Sequence, residues 1–133
     1  MGDIVIVGAK RTAIGSFLGQ FTGTPTTALG TAAISAALAH SGLAADQVDE
    51  VIMGCVLPAP ARQAARGAGI PDAAGCTTIN KVCGSGMKAV MLAHDIIKAG
   101  SARAVVAGGM ESMTNAPHLV NGSRTGIRYG SAE

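Results

Sequence analysis

The chain has 133 residues, 48% of them apolar but only 2% aromatic, and a formal net charge of +2. That length holds one domain with a core built from Ala, Val, Ile, Leu and Met, and the apolar fraction excludes a disordered segment. The ten basic residues form no run and have no interleaved aromatics, which argues against a dedicated nucleic-acid surface. No stretch is long and apolar enough for a membrane span. Met1-Gly2-Asp3-Ile4 runs straight into an apolar stretch without a basic leader, so no export signal is expected. Position 6 is Ile where myristoylation wants Ser or Thr. The cysteines, Cys55, Cys76 and Cys83, show neither Cys-x-x-Cys nor zinc spacing, so free thiols are the default.

Residues 4–9, Ile-Val-Ile-Val-Gly-Ala, are a continuous apolar run, which predicts a strand buried on both faces. A glycine-punctuated loop follows, but the G-x-G-x-x-G fingerprint of a dinucleotide site is absent. Thr24-Pro25 predicts a helix start, with Thr24 as the cap and Gly42 as the stop. Leu29, Ala33, Ala36 and Ala37 would form its apolar face, flanked by Ile34 and Leu38, and His40 suits the last turn. Residues 51–57 predict a second strand, with Cys55 as a small core residue. A short helix from about Pro60 carries Arg62 and Arg66 one turn apart, expected to be solvated. Residues 76–80 predict a third strand and about 84–99 a long helix, with Met87, Val90, Met91 and Ile97 on its buried side. Residues 102–107 predict a fourth strand, leading into Gly108-Gly109-Met110-Glu111. This alternation predicts an α/β fold: a mostly parallel, mixed sheet with helices on both faces.

In such sheets reactive groups collect at the carboxyl ends of strands, and Cys83 falls at one. The run Thr77-Thr78-Ile79-Asn80-Lys81-Val82-Cys83-Gly84-Ser85-Gly86 reads as a strand end, a thiol and two glycines opening a helix. The thiolate is the attacking species, and a helix N-terminus favours the anion. Gly84 and Gly86 leave room for backbone N–H groups to face an incoming oxyanion. By this physics Cys83 is either a nucleophile or a plain structural turn. Neighbouring Lys81 is assigned no role. No partner base is evident. His94 lies roughly 15 Å along the long helix from its start, at 1.5 Å rise per residue. His40 ends another helix, and only His118, in the loop after the fourth strand, has freedom to fold back.

Asn80-Lys81-Val82-Cys83-Gly84-Ser85-Gly86-Met87-Lys88-Ala89 closely resembles the nucleophile segment of thiolases, specifically of acetyl-CoA acetyltransferases. Arg11–Phe17, Pro60–Ala65 and Val106–Met113 resemble three further segments of that family, in the same order. The resemblance implies that Cys83 attacks an acyl-CoA and carries the acyl group as a thioester. A second acyl-CoA, deprotonated at its methyl carbon, is then acylated in a Claisen condensation; the reverse is thiolysis of a 3-oxoacyl-CoA. The backbone N–H of Cys83 would contribute to an oxyanion hole. Coenzyme A thioesters would be substrates, with no metal or redox cofactor. The family fold implied is two similar α/β halves in a five-layer sandwich, in homodimers or homotetramers, and a cytoplasmic location is expected.

The sequence departs from the family pattern in two places. The family's second cysteine, its Gly-His-Pro histidine and its Asn-Glu-Ala-Phe segment have no counterpart, so residues 1–118 are expected to form an incomplete thiolase-like N-terminal domain. Residues 119–133 would be the start of a truncated loop region. Leu57-Pro58-Ala59 also joins Pro60-Ala61-Arg62 without the short loop that thiolases carry there. The chain alone is therefore expected to be catalytically incompetent. The alternatives are a ketoacyl-synthase-like condensing enzyme, which would share the cysteine, and a truncated, non-catalytic assembly domain.

Overall fold

A computed structural model of the chain describes residues 2–57, 60–122, 124 and 126. The element order is helix α1 (Thr26–Ser41), a 3-10 turn (Ala45–Gln47), strand β1 (Glu50–Gly54), helix α2 (Ala61–Gly67), strand β2 (Gly75–Ile79), helix α3 (Ser85–Lys98) and strand β3 (Val105–Gly109). The strands form one parallel sheet in the order β2-β1-β3. Glu50 pairs with both Gly75 and Val105, and Gly54 with both Ile79 and Gly109, so the carboxyl ends of all three strands are level.

Strand β1 is central and buried through Val51–Cys55. Its alternation divides the core. Val51, Met53 and Cys55 join one cluster with Ile34 and Leu38 of α1 and Ala61, Ala64 and Ala65 of α2. On the opposite face Gly54 approaches the backbone of α3. Helices therefore cover both faces of the sheet, as the alternating sequence predicts.

The helices turn different stripes inward than their larger residues suggest. Helix α1 buries Gly30, Ile34 and Leu38, and α3 buries Ser85, Ala89 and Ala93, each spaced by four residues. Small side chains let α3 lie close on the sheet, so Met87 (75% exposed) and Met91 (53% exposed) point outward rather than into the core. Leu29, Ala33 and Ala37 instead line an apolar groove with the N-terminal segment. The start of α1 also differs: Pro25 is the cap residue, and no side chain caps it. Gly42, at φ 72°, ends the helix in the left-handed conformation expected of a C-terminal glycine.

Residues 4–9 form no strand. They lie beside α1, where a Cβ on Gly8 would meet the Ala37 carbonyl, and the Ala9 N–H donates to His40 Nδ1 at 3.4 Å. Val5, Ile6 and Val7 are 60–80% exposed. An apolar run states a tendency to be covered, but it does not name the edge that would cover it. Here β3 pairs directly with β1, and the run stays outside the ladder.

Candidate active site at the cysteine turn

The candidate site stands on the level carboxyl ends of the three strands. Glycines bring the start of α3 onto that edge. A Cβ on Gly54 would come within 2.5 Å of the Gly86 nitrogen, and a Cβ on Gly86 would lie 3.6 Å from the Gly109 backbone. Ends of β1 and β3 thus meet the first turn of α3 without a side chain between them. Cys83, two residues before α3, is exposed, whereas Cys55 is buried and Cys76 half-buried.

The turn between β2 and α3 is locally held. Val82 has φ 49°, a left-handed conformation that a β-branched residue rarely adopts. Its N–H donates to Asn80 Oδ1 at 2.9 Å. Its carbonyl accepts from the Ser85 hydroxyl at 2.6 Å and from the Ser85 N–H at 3.2 Å. Ser85 is 4% exposed, and its Oγ also accepts the Lys81 N–H at 2.8 Å. Gly84 caps α3 without any side-chain hydrogen bond, and its own N–H donates to the Lys81 carbonyl at 3.1 Å. Cys83 thus lies in the chain immediately before the cap residue of α3.

The other cysteines sit in different surroundings. Burial pushes the Cys76 thiol up from its ordinary pKa, a shift partly offset by the Arg62 guanidinium. Cys55 Sγ lies 3.7 Å from both carboxylate oxygens of Glu111. Arg62 is engaged rather than free: Nη1 donates to the carbonyls of Asp72 and Ala74 at 3.0 and 2.9 Å. Arg66 pairs with Asp72 at 3.1 Å on the surface, where such a pair contributes little. The expected solvated pair is thus half staple, half surface ion pair.

No hydrogen bond joins the Cys83 thiol to a histidine among the described residues. His40 receives the Ala9 N–H, His94 contacts Asp95 at 3.1 Å, and His118 is exposed. His94 also lines a cavity with Gly2, Asp3, Ile4 and Lys98, at the far end of α3 from Cys83. The residues that reading the sequence did not single out are Asn80, Ser85 and Glu111. Glu111 leaves the end of β3 and accepts the N–H groups of Val56 and Leu57 at 2.7 and 3.4 Å. A carboxylate two residues after Gly-Gly at a strand end was the available signal.

The chain is similar to proteins of known family over its whole length. It is 54% identical over 138 aligned positions to an acetyl-CoA acetyltransferase of Cupriavidus necator, covering all of this chain and 35% of that protein. It is 52% identical to acetyl-CoA acetyltransferase 2 of Arabidopsis thaliana, covering 96% of this chain and 33% of that one. The first alignment has more positions than the chain has residues, so the relative carries residues with no counterpart here. Among solved structures, the Acat5 thiolase of Ascaris suum, crystallised in complex with coenzyme A, matches with a TM-score of 0.87 and 38% identity over 96% of this chain and 34% of that one. The chain thus spans about a third of the length of the relatives it matches. The family model described as the thiolase N-terminal domain matches residues 4–133, and the chain belongs to that family.

Proposed function

We propose that this chain supplies the nucleophile of a thiolase-type acetyl-CoA acetyltransferase. The Cys83 thiolate attacks the carbonyl carbon of acetyl-CoA, the backbone N–H of Cys83 helps hold the resulting oxyanion, and the carbon–sulfur bond to coenzyme A breaks. Coenzyme A leaves with a proton, and the acetyl group remains as a Cys83 thioester. A base supplied from elsewhere takes a proton from the methyl carbon of a second acetyl-CoA, and that carbon attacks the thioester, releasing acetoacetyl-CoA and the Cys83 thiolate. The reverse sequence is thiolysis. The first step exchanges one thioester for another and the second forms a carbon–carbon bond as the acyl–sulfur bond to Cys83 breaks; neither is a redox step, so no redox cofactor enters them.

The observation that supports this reading is the exposed Cys83 just before the start of α3, in a segment that matches a thiolase family model. Residues 1–118 form the catalytic half-domain in this reading. We place the protein in the cytoplasm, in a homodimer or homotetramer; the outward-facing Met87 and Met91 support such an assembly. No base is bonded to Cys83 among the described residues, so this chain by itself performs the first half-reaction without turnover.

The test is incubation of the 133-residue chain with acetyl-CoA, followed by intact mass measurement and an assay of released thiol. One acetyl group gained per chain, labile to hydroxylamine, with no steady-state thiolysis of acetoacetyl-CoA, is the expected result. A chain that takes up no acetyl group contradicts the nucleophile assignment, and sustained thiolysis contradicts its dependence on a base elsewhere.

A further inference from the structure

A line of hydrogen bonds crosses the carboxyl edge of the sheet and ends at the cysteine turn. Glu111, just beyond β3, accepts the Val56 N–H at 2.7 Å. Val56, just beyond β1, accepts through its carbonyl from Asn80 Nδ2 at 3.1 Å. Asn80, just beyond β2, accepts through Oδ1 from the Val82 N–H at 2.9 Å. The partners fix the orientation of the Asn80 amide, because a carbonyl can only accept and an N–H can only donate. The three anchors are in register because the strands end level. The line terminates on the left-handed residue adjoining the nucleophile.

We propose that Glu111 is a positioning residue for Cys83, acting through Val56 and Asn80. The inference rests on Cys83 being the nucleophile. The Glu111 carboxylate makes the shortest bond of the series, at 2.7 Å, and fixes the Val56 peptide. That peptide holds the Asn80 side chain, and Asn80 holds Val82 in its strained conformation against relaxation. Loss of either side chain lets the turn relax and moves the thiol from its held place at the start of α3. Hydrogen bonds in series act as a unit, so their deletions do not add.

The test is the alkylation rate of Cys83 by iodoacetamide at neutral pH in the 133-residue chain, read by peptide mass against Cys76 in the same sample. Glu111→Ala and Asn80→Ala should each lower the Cys83:Cys76 ratio about fivefold, and the double variant should be no lower than the lower single. Glu111→Gln keeps an oxygen for the Val56 N–H and should recover most of the ratio. General loosening of the fold would speed Cys76 instead, and would not be rescued by one oxygen. An unchanged ratio in Glu111→Ala, effects that multiply in the double variant, or a Gln variant as slow as Ala would overturn the relay. If Glu111→Ala does not fold, Asn80→Ala decides from the exposed end: an unchanged ratio overturns the proposal. Absent acetyl transfer with this labelling pattern intact removes only the function above, whereas acetyl transfer with an unchanged ratio removes only the relay.

Discussion

Val82 is where the turn stores its strain. A β-branched residue in the left-handed region costs about 1–2 kcal/mol relative to its preferred backbone. Ser85 offsets part of this cost by bonding both the Val82 carbonyl and the Lys81 N–H from a buried position. Ser85→Ala should therefore destabilise the chain by about 1–2 kcal/mol in urea unfolding, since the Lys81 N–H loses its partner. It should also slow alkylation of Cys83; unfolding and labelling both unchanged would show that the serine does not hold the turn. Cys83 itself could be singled out through the resemblance of its segment to the thiolase nucleophile segment, whereas a thiol before Gly-x-Gly at a helix start leaves a plain structural turn open. Ser85 could not. Nothing local says that one small residue in Gly-Ser-Gly turns its hydroxyl back on the preceding loop, because that depends on a valine adopting a conformation its sequence disfavours.

At the scale of elements, glycine contacts set how closely α3 meets the sheet. Gly54→Ala puts a methyl group against the backbone of Ser85 and Gly86, which cannot yield as a side-chain tip would. The helix start must shift, and the substitution should cost about 1–3 kcal/mol in thermal or urea unfolding. A wild-type midpoint in that variant would contradict the close packing described here. Types and order of the elements after residue 25 follow from turn residues and apolar runs, and α1, β1, α2, β2, α3 and β3 all lie close to where those signals put them. The buried faces of α1 and α3 do not. Periodicity weighted by side-chain size favours Met87 and Met91, whereas close approach selects Ser85, Ala89 and Ala93. The Ile4–Ala9 run was misread for a related reason: hydrophobicity gives a need for cover, while pairing depends on which strand occupies the neighbouring edge.

In the whole molecule, Asp49 ties the start of the sheet together and gives it an acid sensitivity. Its Oδ2 accepts the N–H groups of Arg103 and Ala104 at 2.7 and 3.0 Å, and these bonds lower its pKa. A lowered folded-state pKa means stability that is present above the ordinary aspartate value of about 3.9 and is lost as pH falls through the lower folded value. Asp49→Asn should lower stability at neutral pH and flatten the loss of stability below about pH 4; parallel pH profiles for the two proteins would contradict that role. The three strand ends held level by this sheet carry the cysteine turn and, on it, Cys83. The most direct test maps the acetyl group after exposure to acetyl-CoA, in the wild-type chain and in Cys83→Ser. Acetyl is expected on the peptide containing Cys83 in the wild type and on no cysteine in the variant. Acetyl on Cys55 or Cys76, or equal uptake by Cys83→Ser, would contradict the nucleophile assignment.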